Sequence, residues 1–309
     1  MDKQPILQVN NLGISFSQYT KGLHRVDLKV ITNLDVELYE GEILAVVGSS
    51  GSGKSLLAHA ILGILPDNAV AEIYYNGKLL TPEDMERLRG DEIALIPQSV
   101  NYLDPLQQVG KQIKITIKDH EHQDEVVSDI FQRYGLKKEV ENYYPFQLSG
   151  GMARKVLLAM ALVSDSKVII ADEPTPGLDE ASINEVLKDF RDIADTGRAV
   201  MMITHDIQAA LKIADKIAIF YAGTTLETAN AADFEGDGSR LRHPYTKALN
   251  RALPSNEFVP VAGTQPLPNE LPNGCLYSDR CPKKTKKCEV ERPRLKEIRD
   301  GKVRCLYAT

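Results

Sequence analysis

The chain contains no long apolar run and no cysteine before position 275. No stretch of about 18 uncharged apolar residues occurs in it, which predicts that no segment spans a membrane. The first residues lack the charged and apolar pattern of a secretory signal, so we expect a cytosolic protein. The excess of acidic residues gives a net charge of −6 at pH 7, which argues against a general nucleic-acid binder.

The 309 residues also show no internal repeat, so a single copy of each functional element is expected. A hydrophobic content of 43% with 26% charged residues is ordinary for a globular protein. The length allows one large domain with an extension. Composition therefore leaves the function to be decided by motifs.

A glycine-rich segment lies between a predicted strand and a predicted helix. Residues 43–47 are apolar without polar alternation, which predicts a buried parallel strand, and residues 56–62 have helical character. The segment between them has the G-x-x-x-x-G-K-S spacing of a phosphate-binding loop, and its flanking elements favour this over a surface turn. Glycines let successive N–H groups point at an anion, Lys54 supplies positive charge for phosphates, and Ser55 supplies a hydroxyl for Mg²⁺. The candidate ATP-binding residues are Gly48, Ser49, Ser50, Gly51, Ser52, Gly53, Lys54 and Ser55.

A second apolar run ends in two carboxylates. Residues 168–171 predict another buried strand, and Asp172 and Glu173 follow directly. Ligands of open α/β sheets lie at the carboxyl ends of the strands. We therefore expect Asp172 to hold Mg²⁺, directly or through water, and Glu173 to polarise the attacking water. An exposed acidic loop is the alternative, and the apolar run before it argues for burial.

A second candidate anion site begins another helix. Ser149, Gly150 and Gly151 precede residues 152–162, which have a strong helical pattern. Ser149 is the expected N-cap, and the glycines leave backbone N–H groups open for an anion. A chain seldom needs two such sites for one nucleotide, so this segment indicates that two nucleotides are involved.

At this point the chain resembles the ATP-binding cassette (ABC) ATPases. Residues 48–55 look like the Walker A motif, residues 148–151 like the signature motif, and residues 168–173 like Walker B. The Q-loop, D-loop and switch motifs of the family then match, in this order, Gln98, Asp179 and His205.

The resemblance implies an α/β fold of the P-loop NTPase (RecA-like) class with an antiparallel β layer. On this basis residues 1–235 form the nucleotide-binding domain, with a helical subdomain at about residues 104–165. The antiparallel layer would combine residues 1 to about 45 with residues near 70–80. Residues 236–309 would be a C-terminal extension that contains the cysteines.

The family mechanism implies that two cassettes close head to tail around ATP. The nucleotide on the Walker A loop of one chain would meet Ser149, Gly150 and Gly151 of the other. Gln98 would contact Mg²⁺ and water, and together with Ser55 and Asp172 it completes the expected Mg²⁺ ligands. His205 would contact the γ-phosphate, whereas Asp179 would communicate across the dimer.

The residue that stacks on adenine is undecided, and two motif positions differ from the family pattern. Phe16 and Tyr19 are both candidates for the aromatic residue that stacks on adenine, with Phe16 first. Met152 stands where the family often has Gln, and Gly177 stands where it commonly has Ala. Neither departure removes a catalytic group, but both leave the hydrolysis rate open.

The C-terminal residues narrow the resemblance. Residues 243–249, His-Pro-Tyr-Thr-Lys-Ala-Leu, closely resemble a segment of the oligopeptide, dipeptide and nickel importer ATPases. Prolines at 254, 260, 266, 268 and 272 predict an extended wrapping segment. Such an importer pairs two ATPases, usually distinct chains, with two permeases and an extracytoplasmic binding protein. The ATPase would then work at the cytoplasmic face of the membrane, for peptides or for nickel or metal chelates.

All four cysteines lie in the last 35 residues, which is not a core-packing pattern. They are Cys275, Cys281, Cys288 and Cys305. Cytosolic disulfides are rare, so a thiolate metal site is the favoured interpretation. The spacing lacks the paired C-x2-C knuckles of zinc ribbons but matches importer ATPases, some of which hold a [4Fe–4S] cluster. An iron–sulfur cluster, zinc and unliganded thiols all stay open.

Two other functions compete with the importer hypothesis. A soluble ABC protein of DNA repair or translation would usually carry two cassettes or a long insertion with a basic surface, and none is visible. A regulatory cassette that binds ATP without hydrolysing it would not need Glu173 and His205, and the presence of both argues against it.

Overall fold

The computed structural model describes residues 3–19, 25–49, 51–65 and 69–308. The strands are β1 (Leu7–Tyr19), β2 (Arg25–Leu38), β3 (Ile43–Gly48), β4 (Ala69–Tyr75), β5 (Lys78–Leu79), β6 (Ile93–Ile96), β7 (Val168–Asp172), β8 (Ala199–Thr204), β9 (Lys216–Tyr221), β10 (Thr224–Asn230), β11 (Lys296–Ile298) and β12 (Gly301–Val303). The helices are α1 (Lys54–Ile61), α2 (Pro82–Leu88), α3 (Val109–Ile115), α4 (Gln123–Arg133), α5 (Gly150–Leu162), α6 (Glu180–Asp195), α7 (Ile207–Ile213), α8 (Pro244–Arg251) and α9 (Lys286–Val290).

The chain divides into two compact units. The first comprises Met1–Tyr39, Leu44–Leu80 and Thr204–Thr309. The second comprises Glu40–Ile43 and Thr81–Ile203. The phosphate-loop segment and the C-terminal residues therefore belong to the first unit, and the acidic strand end belongs to the second.

An antiparallel sheet in the first unit has the strand order β2-β1-β4-β5. Its central strand, β1, places Val9 opposite Val36 of β2 and Ile73 of β4, and all three side chains are buried. Register shifts interrupt the β1–β2 ladder, and such bulges bend a strand and increase its twist. This sheet confirms the antiparallel layer expected from the N-terminal residues and the segment near 70–80.

The first unit also contains a mixed set of strands in the order β11-β12-β10-β9-β3. Here β3 pairs parallel to β9, with Val46 beside Ala218, and every residue of β3 is buried. Strand β10 pairs antiparallel to β9 and β12, so the C-terminal hairpin β11–β12 continues the sheet beyond β10. A strand buried on both faces needs apolar residues throughout, which explains the unbroken apolar run of β3.

A buried network of ion pairs and hydrogen bonds connects the β11–β12 hairpin to β10. The Arg242 side chain lies between Glu227 and Asp233, with Nη1 at 3.3 Å from Glu227 Oε1 and 2.9 Å from Asp233 Oδ2. All three side chains are 1% exposed or less. Arg242 Nε donates to Ile298 O at 2.5 Å, and the guanidinium also donates to Arg299 O. The network thus joins β10 and the turn between β11 and β12 through one guanidinium.

The second unit contains the parallel strands β6, β7 and β8. Ile170 of β7 lies between Leu95 of β6 and Met201 of β8. Helices α3, α4 and α5 follow β6, and the buried Tyr134 after α4 donates its hydroxyl to Asp189 of α6 at 2.5 Å. Burial raises the pKa of Tyr134, so this phenol stays a hydrogen-bond donor.

No helix in the described ranges combines the length and the apolar character needed to cross a membrane.

Candidate functional site

The phosphate loop links the end of β3 to the start of α1 in the first unit. Gly51 and Gly53 adopt left-handed φ values of 75° and 95°. A Cβ on Gly48 would lie 2.7 Å from Phe220 O, so only glycine fits beside β9 at this point. Helix α1 starts with no side-chain cap and no acidic residue in its first turn, so its N-terminus is open to an anion.

Lys54 is held inside this loop. Its Nζ donates to Gly48 O at 2.9 Å and to Ser49 O at 3.0 Å, and the residue is buried. The Ser52 hydroxyl is buried and has no hydrogen-bond partner among the described residues. An ammonium and an unpaired hydroxyl inside a loop of glycines fit the phosphates of a nucleotide. Ser55 is half-buried at the first turn of α1, and Ser50 lies outside the described residues.

The two carboxylates at the end of β7 are buried in the second unit. Asp172 is the last residue of the strand, and Glu173 follows with a φ of 49°. A left-handed φ is unfavourable for a residue other than glycine, and such backbone strain is often found at functional sites. The Glu173 N–H donates to Ile203 O of β8 at 2.9 Å, which fixes the turn.

The signature segment starts α5 as expected. Ser149 accepts a hydrogen bond from the Met152 N–H at 3.2 Å, which makes it the N-cap of a 13-residue helix. A Cβ on Gly150 would meet no atom within 4 Å, whereas one on Gly151 would lie 3.5 Å from Gly177 O. Ser149 and Gly150 are exposed, so the helix N-terminus faces open space.

Arg154 is a residue that the sequence analysis missed as a site component. Its Nη1 donates to Pro97 O at 2.7 Å, and its Nη2 donates to Gln98 O at 2.5 Å. The guanidinium is buried, which lowers its pKa, and the charges of Asp172 and Glu173 oppose that shift. Arg154 therefore connects the signature helix to the loop of Gln98 and lies in the field of the acidic pair. The signature segment ends at Gly151, so its pattern contained no signal for a role of Arg154.

Gln98 itself is exposed immediately after β6. Asp179 caps α6, accepting from the Ser182 N–H at 2.9 Å and from the Ser182 hydroxyl at 2.8 Å. The backbone hydrogen bond from Ser182 is the main cause that lowers the pKa of Asp179. This carboxylate is therefore ionised and already serves as a helix cap.

His205 lies in the first unit, exposed directly after β8. The next residue, Asp206, caps α7 by accepting from the Gln208 and Ala209 N–H groups. The cap fixes the chain immediately after the histidine. Phe16 pairs with Leu28 across β1 and β2 and is half-buried, while the Tyr19 side chain lies outside what the structure describes.

The four cysteines line one cavity of about 60 Å³ in the first unit. Cys275 and Cys288 are buried, Cys281 and Cys305 are half-buried, and none forms a disulfide. Burial raises the pKa of Cys275 to about 11, and the other three thiols add to the shift. A Cβ on Gly274 would lie 2.2 Å from Cys288 O, so glycine allows the two segments to approach. Within the described ranges, no three His, Cys, Asp or Glu side chains are arranged to hold a single metal ion.

Comparison with protein families gives two matches. The family described as "ABC transporter" matches residues 31–176. The family described as "Oligopeptide/dipeptide transporter, C-terminal region" matches residues 226–288. The two matches cover the segment with the phosphate loop and acidic pair, and the segment with the His-Pro-Tyr sequence.

Curated relatives match over nearly the whole length. The dipeptide transport ATP-binding protein DppD of Escherichia coli (strain K12) is 35% identical over 98% of this chain and 96% of its own. The oligopeptide transport ATP-binding protein AppD of Bacillus subtilis (strain 168) is 31% identical over 97% and 96%.

Solved structures share the fold. A dimeric post-hydrolysis state of the ATP-binding cassette MJ0796, bound to ADP and Pi, has a TM-score of 0.64 at 23% identity. The match covers 73% of this chain and 98% of that one. An ATP-binding subunit of an ABC transporter gives a TM-score of 0.62 at 22% identity, covering 74% and 91%. The P-loop cassette fold predicted from the motifs is thus confirmed.

Proposed function

This chain belongs to the ABC transporter family, among the ATP-binding subunits of oligopeptide and dipeptide transporters, and we propose that it powers the import of peptides by hydrolysing ATP. The observation that carries the proposal is the phosphate loop, with Lys54 held inside a glycine cradle that no larger residue fits at Gly48. The proposed peptide substrate comes from the names of the relatives. The residues of this chain indicate the nucleotide and give no information on the transported substrate.

The residues of the first unit would bind the nucleotide. The loop N–H groups from Gly48 to Lys54 surround the phosphates, and Lys54 moves from the carbonyls of Gly48 and Ser49 to neutralise their charge. Ser55 would hold Mg²⁺, and His205 would contact the γ-phosphate. Phe16 is the proposed residue for stacking on adenine.

The residues of the second unit would act on the reacting phosphate. Asp172 and Gln98 would complete the Mg²⁺ ligands, and Mg²⁺ supplies neutralisation of the charge that develops in transfer. Glu173 would orient the attacking water and accept its proton. Arg154 fixes the carbonyl of Gln98 and so would set the position of that residue.

A second ATPase would complete the site. We propose that Ser149, Gly150 and Gly151 serve the nucleotide of that partner, because they form a helix N-terminus at which Ser149 and Gly150 are exposed. Asp179 would signal across the same interface. The partner is a copy of this chain or a related chain, and co-purification with each would decide between them.

A groove in the second unit supports a permease partner. Its volume is about 450 Å³, and its lining includes the exposed Phe146 together with Val100, Pro105 and Leu148. Exposed apolar residues around a groove mark interaction surfaces. We propose that one of two permeases places a helix here, beside the signature segment, and that the other permease contacts the second ATPase, so that the chain works at the cytoplasmic face of the membrane. An extracytoplasmic binding protein would deliver the substrate, with peptides favoured over nickel or a metal chelate by the relatives.

The four cysteines are proposed as ligands of an iron–sulfur cluster or of zinc. The four thiols line one cavity, which supports this proposal because thiolates are suitable ligands for both groups. Because burial raises the pKa of Cys275, its thiolate would need a bound metal to stay deprotonated at neutral pH. Visible absorption of anaerobically purified protein would indicate a cluster, whereas zinc content without colour would indicate zinc.

The experiment that tests the function compares Glu173→Gln with the native chain in the assembled transporter. ATP turnover should fall about 10²–10⁴-fold, because the water loses its general base. Nucleotide binding should persist. The exposed Glu121→Gln, which removes the same charge far along the chain, is the matched control and should hydrolyse ATP normally. Equal turnover in Glu173→Gln and the native chain would remove Glu173 from the mechanism.

A further inference from the structure

The C-terminal extension touches the phosphate loop through one side chain. The Ser49 hydroxyl donates to Gln265 Oε1 at 3.0 Å, across 216 residues of sequence. Ser49 is exposed and Gln265 is half-buried. The motif that identifies the loop contains no partner for its first serine, so this contact is visible only in the structure.

Ser49 is a central residue of the loop. Its carbonyl accepts from Lys54 Nζ at 3.0 Å and from the Ser52 N–H at 3.3 Å. Ser49 therefore accepts hydrogen bonds from Lys54 and from the Ser52 N–H through its carbonyl, and its hydroxyl contacts the extension. Since Lys54 must leave this carbonyl to reach a phosphate, a constraint on Ser49 affects how the loop meets its ligand.

Gln265 is presented by a stiff segment. Residues 260–273, here the strap, form neither helix nor strand and contain four prolines, at 260, 266, 268 and 272. Proline fixes φ near −65° and lowers the number of conformations that the chain must give up. Gln265 directly precedes Pro266, so its backbone is restricted as well. Little backbone entropy is therefore lost when the Gln265 side chain binds Ser49.

Two arginines anchor the strap on either side of Gln265. Arg280 donates from Nε to Ala262 O at 2.7 Å and from Nη2 to Val261 O at 3.3 Å. Arg292 donates from Nη2 to Pro272 O at 2.8 Å. Arg280 is itself fixed, since its guanidinium lies over three aromatic rings at 5.7 to 5.9 Å. Those rings belong to Tyr221, Tyr245 and Tyr277.

We propose that Gln265 is a positioning residue of the nucleotide site, and that the strap holds Ser49 so that the phosphate loop is preorganised for ATP and ADP. The hydrogen bond between Ser49 and Gln265 joins two side chains and uses no backbone group of the loop. Among the described residues of the loop and the strap, no backbone carbonyl of the strap accepts a hydrogen bond from a loop N–H. The groups that bind phosphate therefore stay available while the strap is in place. Preorganisation strengthens binding because less of the ordering must occur when the ligand arrives.

The test measures nucleotide affinity of the full-length chain carrying Gln265→Met. Methionine keeps the length of the side chain but replaces the amide oxygen with a thioether sulfur, which is only a weak hydrogen-bond acceptor. Affinity for ADP and for a non-hydrolysable ATP analogue should fall about threefold to tenfold, the range expected for one hydrogen bond. The KM for ATP should rise by the same factor, whereas kcat should change less than about twofold, because the contact does not involve the reacting atoms.

Two controls separate this role from a general loss of structure. Thr264→Val alters the exposed neighbour on the same strap and should leave affinity unchanged. Ser49→Ala should weaken binding by itself, and combining it with Gln265→Met should add nothing further, since both remove one contact. Pro266→Gly, which loosens the strap but keeps the amide, should give a smaller loss of affinity.

Three results would overturn the proposal. Unchanged affinity with a lower melting temperature would make Gln265 a purely structural residue. Tighter binding in Gln265→Met would mean that the strap obstructs the loop. Fully additive losses in the double variant would show that the two side chains act separately. None of these results bears on whether the chain hydrolyses ATP, which Glu173→Gln tests independently.

Discussion

The two units of the protein each contain a buried arginine, and the two arginines have different partners. Arg242, in the first unit, meets the carboxylates of Glu227 and Asp233 at buried positions. Arg154, in the second unit, donates to the carbonyls of Pro97 and Gln98, and the charges of Asp172 and Glu173 act to raise its pKa.

We interpret the charge of Arg242 as structural and propose a functional role for the charge of Arg154. The charge of Arg242 is matched by buried carboxylates, so removing it leaves the buried Glu227 without a cation and Asp233 with only the exposed Arg240. The charge of Arg154 is matched by dipoles, so its field acts on the acidic pair of the proposed catalytic site. Breaking a buried pair destabilises a protein strongly, whereas a cation held by carbonyls influences neighbouring ligands and protons. We therefore expect substitution of Arg242 to lower the stability of the protein and substitution of Arg154 to lower its ATPase rate.

The largest expected effect is on stability. Arg242→Met should lower the free energy of unfolding by about 3–5 kcal/mol, because Glu227 would be buried without a cation and Asp233 would keep only the exposed Arg240. Chemical denaturation of the full-length chain measures this. At low temperature, where the variant is still folded, its nucleotide affinity should match that of the native chain.

The matched control is Arg240→Met. Arg240 also pairs with Asp233, at 3.1 Å, but its side chain is 68% exposed. Exposed ion pairs contribute about 0–1 kcal/mol, so this variant should unfold almost like the native chain. If both variants lost the same stability, the burial of Arg242 would not explain the network.

Sequence reasoning located the loop between β3 and α1 and the N-cap of α5, and it missed this network for the same physical reason. The loop of Lys54 and the cap by Ser149 are local, and their spacing alone fixes which backbone groups meet. The partners of Arg242 lie at 227, 233, 298 and 299, so only the folded chain brings them together. A charged residue near a His-Pro-Tyr sequence gives no periodicity or motif that would predict burial.

The next effect is on catalysis. Arg154→Met should lower kcat of the assembled transporter about 10–100-fold, since hydrogen bonds from a charged group contribute about 1.5–3 kcal/mol and hold the loop of Gln98. The KM for ATP should change less, because the phosphate loop is intact. Steady-state ATPase kinetics separate the two constants.

The control for this variant is Arg154→Lys. Lysine keeps the charge but cannot donate to two carbonyls in the same plane. If the field on Asp172 and Glu173 matters most, Arg154→Lys should recover most of the rate. If the position of Gln98 matters most, it should recover little. A normal rate in Arg154→Met would contradict both roles.

The cysteine region shows a further limit of prediction from sequence. The clustering of four cysteines indicated a shared site, and the structure does line one cavity with them. The spacing could not show that Gly274 must pass within contact distance of Cys288 O, or that the strap carries Gln265 to Ser49. Such contacts depend on the path of the chain between elements, where no periodic pattern constrains it.

The smallest expected effects compare two glycines. Gly274→Ala should lower the free energy of unfolding by about 1–3 kcal/mol, because its Cβ would meet Cys288 O at 2.2 Å and the segments must move apart. Gly150→Ala should change stability by less than about 0.5 kcal/mol, because its Cβ meets no atom within 4 Å.

The same two variants should rank in the opposite order for ATP turnover in the assembled transporter. Gly150→Ala should reduce turnover, because the added methyl group would separate the signature N–H groups from the partner's nucleotide. Gly274→Ala, measured below its melting temperature, should retain turnover. Thermal unfolding and ATPase assays on the same preparations give both rankings. Normal turnover in Gly150→Ala would mean that open space at this position serves no ligand, and would remove the signature glycine from the proposed interface.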